Sequence, residues 1–297
     1  MWNKIMAFFM SIIAFFAGLF GIDFEPKSDF VFKNLSYGTH ERQVLDLRLP
    51  ENSDGEVGLV LSIHGGAWIG GEKDVYKDNL KSICNNLGYA AAAINYRYLS
   101  EDVTLHDIAD DIQAALGVIK QKGAEKGITI NKVLLTGASA GAHLSMFYAY
   151  ARADVSPIKP AAVVSYCGPT DLTDENYYIN NDLGDPETVA NLFSMACGKT
   201  FTFNQRHTAT EQLKSVSPLY YVNESTVPTV ICHGQKDTIV PYTNATAIIE
   251  KFDQCGVKYD FVSYPNSGHG LDNDPAEQEI ANDLIHSYAR TYLGTEK

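Results

Sequence analysis

The chain has 297 residues, of which 45% are hydrophobic and 20% are charged, and these proportions are typical of a folded protein. Its length is sufficient for one large α/β domain or for two modest domains, and we predict one. The formal net charge of −13 argues against nucleic acid as a partner, since binding to the phosphate backbone requires a basic face.

Residues 5–22 form an uncharged run near the start of the chain, which follows Lys4 and precedes Asp23. Such a run is typical of a targeting segment, and its length is at the lower limit for crossing a bilayer. The positive charge before it indicates that the amino end stays inside and that the following domain lies outside. We therefore predict that residues 1–22 anchor an extracytoplasmic protein in the membrane. A cleaved signal peptide on a secreted protein is the alternative.

From residue 28 onward, strand patterns and helical patterns alternate along the chain. The predicted strands lie at residues 43–49, 57–63, 89–95, 133–135, 161–166, 229–233 and 259–264, and the predicted helices at residues 73–87, 105–126, 143–147, 242–255 and 275–292. This alternation predicts an α/β fold with a mostly parallel sheet and helices on both faces, in one domain over residues 28–297. The alternation of strands and helices is interrupted between residues 169 and 217, which we predict to be a cap-like insertion over the active face.

The sequence Gly137-Ala138-Ser139-Ala140-Gly141 follows a buried strand and opens a helix. In a G-x-S-x-G turn of this kind, a serine is held at the tip of a sharp bend with its hydroxyl exposed. The pattern is short enough to arise by chance, and most serines after a strand only cap the next helix. Ser139 is therefore a candidate nucleophile whose role depends on a base, an acid and an oxyanion site elsewhere in the chain.

Two histidines follow predicted strands in the second half of the chain, and a serine nucleophile needs such a base. His269 lies in the glycine-flanked loop at residues 266–270, where its side chain can swing over the sheet edge. His233 ends a strand, and histidines in that position are usually hydrogen-bonded core residues. We predict His269 as the base and a structural role for His233.

A catalytic histidine requires a carboxylate that fixes its tautomer and stabilises the imidazolium. Asp237 follows the strand at 229–233, and both this position and the chain order of nucleophile, acid and base favour it. Asp171 is the alternative acid. Asp272 and Asp274 follow the histidine and are predicted to solvate or cap the start of the next helix.

The oxyanion that develops during acyl transfer must be met by preorganised N–H donors. Residues 64–68, with the sequence HGGAW, end an early strand and match an H-G-G oxyanion loop. We therefore predict that this loop and the amide of Ala140, the residue after the nucleophile, supply the donors.

Three further side chains lie near these donors in the sequence. His64 is predicted to be structural and to hold the loop by hydrogen bonds. Trp68 either binds substrate by lining the acyl pocket or anchors the loop in the core. His143 follows Ser139 by one helical turn and could serve packing or function.

The cysteines and histidines contain no recognisable metal-binding pattern. The five cysteines are widely spaced without a C-x-x-C pair, which favours buried free thiols over a disulfide framework. The eight histidines include no H-E-x-x-H pattern, so no metal is predicted.

Seven motifs occur in order between residues 64 and 270: HGGAWIGG, NYRY, GASAGAHL, YCGPTDL, SPLYYV, HGQKDTIVPY and NSGHG. Together they resemble the α/β-hydrolase esterases of the hormone-sensitive-lipase and feruloyl or acetylxylan esterase groups. The lipase branch has a third glycine at the position of Ala67 and usually an acidic residue at that of Ala138. Both departures favour the small carbohydrate-ester and arylformamide hydrolases, whose motif GHSAGAHL resembles residues 137–144.

This resemblance implies an α/β-hydrolase fold and a serine carboxylic ester hydrolase that works through an acyl-enzyme without a cofactor. Its roles would fall on Ser139, Asp237 and His269, with the amides of Gly66, Ala67 and Ala140 at the oxyanion. The implied substrates are small acyl esters, including acetyl or feruloyl groups of carbohydrates. An amidase, an arylformamidase or a peptidase of the same fold is the alternative. A non-catalytic hydrolase-like binding protein is a third reading, against which the intact triad argues.

Overall fold

A mostly parallel sheet of eight strands forms the centre of the structure, a computed structural model that describes residues 29–51, 55–179 and 181–294. Including a separate pair, the described residues contain the strands β1 (Asp29–Ser36), β2 (Val44–Pro50), β3 (Gly55–Glu56), β4 (Leu59–Ile63), β5 (Ala90–Ile94), β6 (Ile128–Thr129), β7 (Lys132–Ala138), β8 (Lys159–Tyr166), β9 (Thr229–Gly234) and β10 (Tyr259–Tyr264). Their order in the sheet is β1-β2-β5-β4-β7-β8-β9-β10, and β3 pairs with β6 separately. The β1–β2 and β2–β5 pairs are antiparallel, and the other pairs of the sheet are parallel.

The α-helices of the described residues lie in the connections between these strands, except the last, which follows β10. They are α1 (Lys77–Leu87), α2 (Leu105–Glu125), α3 (Ala140–Ala151), α4 (Pro186–Cys197), α5 (Thr210–Lys214), α6 (Thr243–Cys255) and α7 (Pro275–Tyr288). Helix α2 begins at a capping box, in which Thr104 and Asp107 each bond the backbone N–H of the other. The helix predicted to reach residue 292 ends as an α-helix at Tyr288 and continues as a π-helical turn.

The central strands bury both of their faces, since successive side chains point to opposite sides of the sheet and helices cover each side. In β4, Leu59 and Leu61 belong to one hydrophobic core and Val60 to the other. Helices α2 and α3 cover the first core, and α1 and α7 cover the second. The predicted fold class is confirmed. Since β4 lies between β5 and β7, the carboxyl ends of β4 and β7 meet where the chain changes direction across the sheet, the usual position of a ligand site in such folds.

The sequence patterns predict no strand at β1, which is an edge strand of the sheet. A register shift between Phe32 and Leu35, with Asn34 at φ 52°, interrupts the two-residue alternation of side chains. This bulge removes the periodic signal by which a strand is recognised in a sequence.

Residues 169–217 connect β8 to β9 and contain α4 and α5. Their described part contributes no strand to the sheet. Residues 1–22, predicted as an anchor, lie outside the described residues. Within the part of the chain that is described, no helix is both long and apolar enough to cross a bilayer.

Two histidines are buried beside the carboxyl edge of the sheet. His64 follows β4, His143 lies on α3, and both are at most 1% exposed. His64 Nδ1 lies 2.8 Å from Gly65 O, and His143 Nε2 lies 2.8 Å from Val216 O, so each ring donates from that nitrogen. Burial lowers the pKa of both rings to about 4, because the charged form loses its hydration. Both are neutral at pH 7.

These histidines should make the protein less stable as the pH falls below 7. An unfolded histidine has a pKa of about 6.5, so between this value and about 4 the unfolded chain binds more protons than the folded one. Each histidine should therefore lower the unfolding free energy by about 2 kcal/mol when the pH falls from 7 to 5. His143→Gln, whose amide can still donate to Val216 O, should remove its share of this pH dependence. Urea unfolding at several pH values measures the difference.

The exposed His207 provides a matched control. His207→Gln should leave the pH dependence of the unfolding free energy as in the unmodified protein. An equal slope for the His143→Gln variant and the unmodified protein would contradict the assignment of a buried neutral ring.

Candidate active site

Ser139 lies in the sharp turn between β7 and α3. Its backbone has φ 55° and ψ −123°, a conformation that costs a non-glycine residue free energy. The Ser139 N–H donates to Tyr166 O (2.8 Å), and the His143 N–H donates to Ser139 O (3.0 Å). The strained serine is therefore fixed between the end of β8 and the first turn of α3, as in a nucleophile elbow.

Two glycines allow the end of β4 to approach this turn. A Cβ at Gly137 would lie 2.4 Å from the carbonyl oxygen of Ile63, and a Cβ at Gly141 would lie 2.0 Å from the same oxygen. Any larger residue at either position would therefore push β4 away from the turn. The glycines of the G-x-S-x-G pattern are explained by this contact between neighbouring strands.

Asp237 and His269 follow the neighbouring parallel strands β9 and β10. Their side chains meet, since His269 Nδ1–H donates to Asp237 Oδ2 over 2.7 Å and both side chains are at most 1% exposed. The structure thus brings the predicted acid and the predicted base into contact. The alternative acid, Asp171, accepts instead from the N–H and the hydroxyl of Thr173 (2.9 and 2.6 Å).

The Asp237 carboxylate has hydrogen-bond donors at both oxygens. Oδ1 accepts from the N–H groups of Ile239 and Val240 (both 2.9 Å), and Oδ2 lies 3.3 Å from His233 Nε2 in addition to its contact with His269. Burial acts to raise the pKa of this carboxyl, but His269 and His233 act against it and hold the pKa well below its usual range. Asp237 is therefore ionised at neutral pH and can orient the imidazole of His269.

Within the described residues, Cys167, His233 and Asp237 form a group whose potential ligand atoms all lie within 4.8 Å of one another. His233 Nε2 also lies 3.0 Å from Val240 O, so it carries a proton that a metal ion would have to displace. Burial and the nearby charge of Asp237 raise the pKa of the Cys167 thiol, which disfavours the thiolate that binds metals. The group is better suited to surround the Asp237 carboxylate than to bind a metal ion.

A second carboxylate closes the loop that carries His269. Asp274 is 4% exposed and accepts from the Asn266 N–H (3.0 Å) and from the Ser267 hydroxyl (2.6 Å). It occupies the N-cap position of α7, but its carboxylate is directed to residues 266–267. Asp274 thus lies at the helix start, as predicted, but its side chain joins the two ends of the loop instead of capping the helix.

The loop after β4, residues 64–71, passes beside the nucleophile turn. A Cβ at Gly65 would lie 2.8 Å from Ala138 O and 3.4 Å from Ser139 Cβ. The next residues, Gly66 and Ala67, both have positive φ (116° and 48°). Two of the three predicted oxyanion donors therefore lie in a sharply turned segment next to Ser139.

The third predicted donor belongs to Ala140, the first residue of α3. N–H groups in the first turn of a helix have no partner within the helix, and they carry the positive end of its dipole. Such an amide can meet a negatively charged oxygen beside the serine.

Two side chains that the sequence analysis missed hold the far end of the 64–71 loop. The Gly71 carbonyl accepts from Arg42 Nη2 (3.1 Å) and from the Tyr98 hydroxyl (2.5 Å). The Arg42 guanidinium lies 3.6 Å above the Tyr98 ring and 3.4 Å from His64 Nε2. His64 holds the near end, as predicted, through the bond of its Nδ1 to Gly65 O. Arg42 could not be found from a local pattern, because it lies 29 positions from Gly71.

Trp68 lies on the core side of the same loop. Its side chain is 2% exposed, and its indole ring packs edge to face on His143 with 5.1 Å between the ring centroids. Its carbonyl accepts from the Leu99 N–H (3.0 Å). His143 in turn stacks on Phe147 at 5.8 Å. Both Trp68 and His143 thus contribute to packing between the loop and α3.

The chain is similar in sequence to two curated proteins of Mycobacterium tuberculosis (strain ATCC 25618 / H37Rv). The probable carboxylic ester hydrolase LipM is 27% identical over 281 residues, which cover 89% of this chain and 63% of LipM. The esterase LipQ is 27% identical over 249 residues, which cover 80% of this chain and 57% of LipQ. The chain therefore spans about three fifths of the length of these relatives.

Solved structures show the same fold at lower sequence identity. A truncated form of a carbohydrate esterase from gut microbiota has a TM-score of 0.70 and 22% identity, and covers 90% of this chain and 100% of its own. A bacterial heroin esterase has a TM-score of 0.72 and 20% identity, and covers 97% of this chain and 91% of its own. The family model named BD-FAE matches residues 45–252, and the chain belongs to this family.

Proposed function

We propose that this protein is a serine carboxylic ester hydrolase with Ser139 as nucleophile, His269 as base and Asp237 as acid. The observation that carries the proposal is the buried 2.7 Å contact between His269 Nδ1 and Asp237 Oδ2, at the sheet edge where Ser139 occupies a strained turn. Membership of the BD-FAE family and the ester-hydrolase names of its matched relatives support the same activity.

In the proposed acylation step, Ser139 Oγ attacks the carbonyl carbon of the ester while His269 Nε2 takes the hydroxyl proton. The Asp237 carboxylate stabilises the imidazolium that forms. His269 then gives this proton to the departing alcohol, and the acyl group remains bonded to Ser139. In deacylation, a water molecule attacks the acyl carbon, His269 takes its proton and returns it to Ser139, and the acid is released.

Both steps pass through a tetrahedral intermediate with a negatively charged oxygen. We assign its stabilisation to the N–H groups of Gly66, Ala67 and Ala140. Each donor of this kind typically contributes about 2.7–4 kcal/mol to catalysis. The bonds of Arg42 and Tyr98 to Gly71 O support the proposal, because they fix the loop that carries two of the donors.

The proposed substrates are small acyl esters, including acetyl or feruloyl groups on carbohydrates. The family match and the likeness to a carbohydrate esterase from gut microbiota are consistent with this class. A panel of esters with graded acyl length, run beside an aryl formamide and a peptide amide, tests it. Faster turnover of the formamide or the amide would favour the amidase alternative.

The assignment of the nucleophile predicts that Ser139→Ala lowers kcat by about 10⁴–10⁶-fold without loss of folding. A serine-directed phosphonate should add its mass to the unmodified protein at Ser139, as read by peptide mass spectrometry. Ser145→Ala is a matched control, because this serine lies on the same helix and its hydroxyl donates within that helix, to Gly141 O. The control should be labelled at the normal rate, whereas residual activity of Ser139→Ala within tenfold of the unmodified enzyme would overturn the assignment.

We further propose that Trp68 anchors the oxyanion loop instead of lining the acyl pocket, because its indole is 2% exposed and packs on His143. Trp68→Ala should lower the unfolding free energy by about 3–5 kcal/mol. It should also reduce kcat/KM for acetate and octanoate esters of one alcohol in parallel, and Trp68→Phe should do so more mildly. A change of about 10-fold or more in the ratio of the two esters would instead assign the indole to the acyl pocket.

We also propose that residues 1–22 place the enzyme outside the cytoplasm as a membrane anchor, on the basis of their uncharged run after Lys4. The full chain should sediment with membranes, and a chain that begins at Asp23 should stay in the supernatant with unchanged kcat/KM. Recovery of a shortened, secreted protein would show a signal peptide instead. Loss of activity in the shortened chain would show that the segment belongs to the fold.

A further inference from the structure

Two segments that are distant in the sequence join directly beside the Asp237 carboxylate. Asn181 and Asp182 belong to the predicted insertion, and Thr238 and Ile239 follow Asp237. The Asp182 N–H donates to Thr238 O (2.9 Å), and the Thr238 hydroxyl donates to Asp182 Oδ2 (2.6 Å). Asn181 Nδ2 donates to Ile239 O (2.9 Å). Three hydrogen bonds thus connect the insertion to the loop that carries the acid.

The Asn181 bond reaches the carboxylate through Ile239, and the two Asp182 bonds hold Thr238, which lies between Asp237 and Ile239 in the chain. The Ile239 N–H donates to Asp237 Oδ1 (2.9 Å), while the Ile239 carbonyl accepts from Asn181. The next residue is restrained in the same way, because the Val240 N–H donates to Asp237 Oδ1 (2.9 Å) and its carbonyl lies 3.0 Å from His233 Nε2. The turn that orients the carboxylate, residues 237–240, is therefore hydrogen-bonded to the insertion through Ile239 O and to β9 through Val240 O.

We propose that Asn181, Asp182 and Thr238 form an acid latch, a set of positioning residues through which the insertion fixes the orientation of the Asp237 carboxylate. The proposal rests on the proposed function and extends it to residues that contact neither substrate nor reacting atoms. The latch acts on Asp237, and Asp237 acts on the imidazole of His269. Its loss therefore leaves the triad present but loosely oriented.

This role predicts a specific kinetic signature. Misplacement of a catalytic group by about 1 Å can cost about 10²-fold in rate, and the loss of one latch bond should cost less, about 3–10-fold in kcat. KM should change little, because the latch side chains are assigned no contact with substrate. An insertion that only forms a pocket wall would produce the opposite pattern, with changes in KM and in acyl preference.

The test compares Asn181→Ala, Asp182→Ala, Thr238→Val and the Asp182→Ala/Thr238→Val double variant with the unmodified full chain. Each variant should lower kcat on an acetate ester about 3–10-fold and slow phosphonate labelling of Ser139 in proportion. The double variant should be no slower than the worse of its two singles, because both changes remove the same bond. Thr238→Ser keeps the hydroxyl and should restore the normal kcat.

A matched control and a spectroscopic measurement separate positioning from general damage to the insertion. Asp185→Ala removes the N-cap of α4 in the same segment, where Asp185 Oδ1 accepts from the Thr188 N–H (2.8 Å). It should lower the melting temperature but leave kcat unchanged. The downfield proton NMR signal of His269 Nδ1–H should shift or broaden in the latch variants and stay in place in this control.

Several results would overturn the latch. They are a normal kcat in all latch variants, failure of Thr238→Ser to restore kcat, an equal loss in Asp185→Ala, or an unchanged His269 Nδ1–H signal. An unmodified protein that neither hydrolyses any ester nor reacts with the phosphonate would instead contradict the proposed function. In that case the NMR comparison still decides whether the insertion orients Asp237.

Discussion

The position of the candidate nucleophile relative to the proposed oxyanion amides depends on the close contact between the end of β4 and the turn that follows β7. These strands are parallel neighbours with Ile63 opposite Gly137, so both end at the same height of the sheet. The Ile63 carbonyl occupies the space that a Cβ at Gly137 or Gly141 would need. Because the 64–71 loop begins directly after this carbonyl, the contact determines how far the proposed oxyanion amides lie from Ser139. The glycines are thus required by strand packing as much as by the turn.

A second constraint is that the site places ionisable groups where water does not reach them. A buried charge costs several kcal/mol unless hydrogen bonds replace its hydration. Asp237 meets this requirement with two main-chain amides and the two histidines His233 and His269. Since this set of donors leaves the carboxylate only a narrow range of orientations, the same bonds that stabilise its charge also direct it to His269. Stability and orientation of the acid have one physical origin here.

Local patterns in the sequence were sufficient to locate most of the sheet, the turn at Ser139 and the loops that carry Asp237 and His269. Each of these has a signal within about ten residues, such as strand periodicity or glycines at fixed spacing. The long-range contacts that hold the loops have no such signal. Arg42 reaches Gly71 from 29 positions away, and Thr238 reaches Asp182 from 56 positions away. Only the folded chain brings such pairs together.

The two attachments of the insertion restrict where this fold can change to accept other substrates. Besides its bonds to the acid loop, the insertion is tied to α6 through the buried Asn244, whose Oδ1 accepts from the Thr170 N–H (2.8 Å) and the Tyr177 hydroxyl (3.1 Å). A segment held at two places cannot move as one rigid lid without breaking buried hydrogen bonds, which are costly to leave unpaired. Changes in the shape of the insertion are therefore least restricted beyond these attachments, around α4 and α5. In the proposed latch, a change at residues 181–182 would instead alter the orientation of the acid.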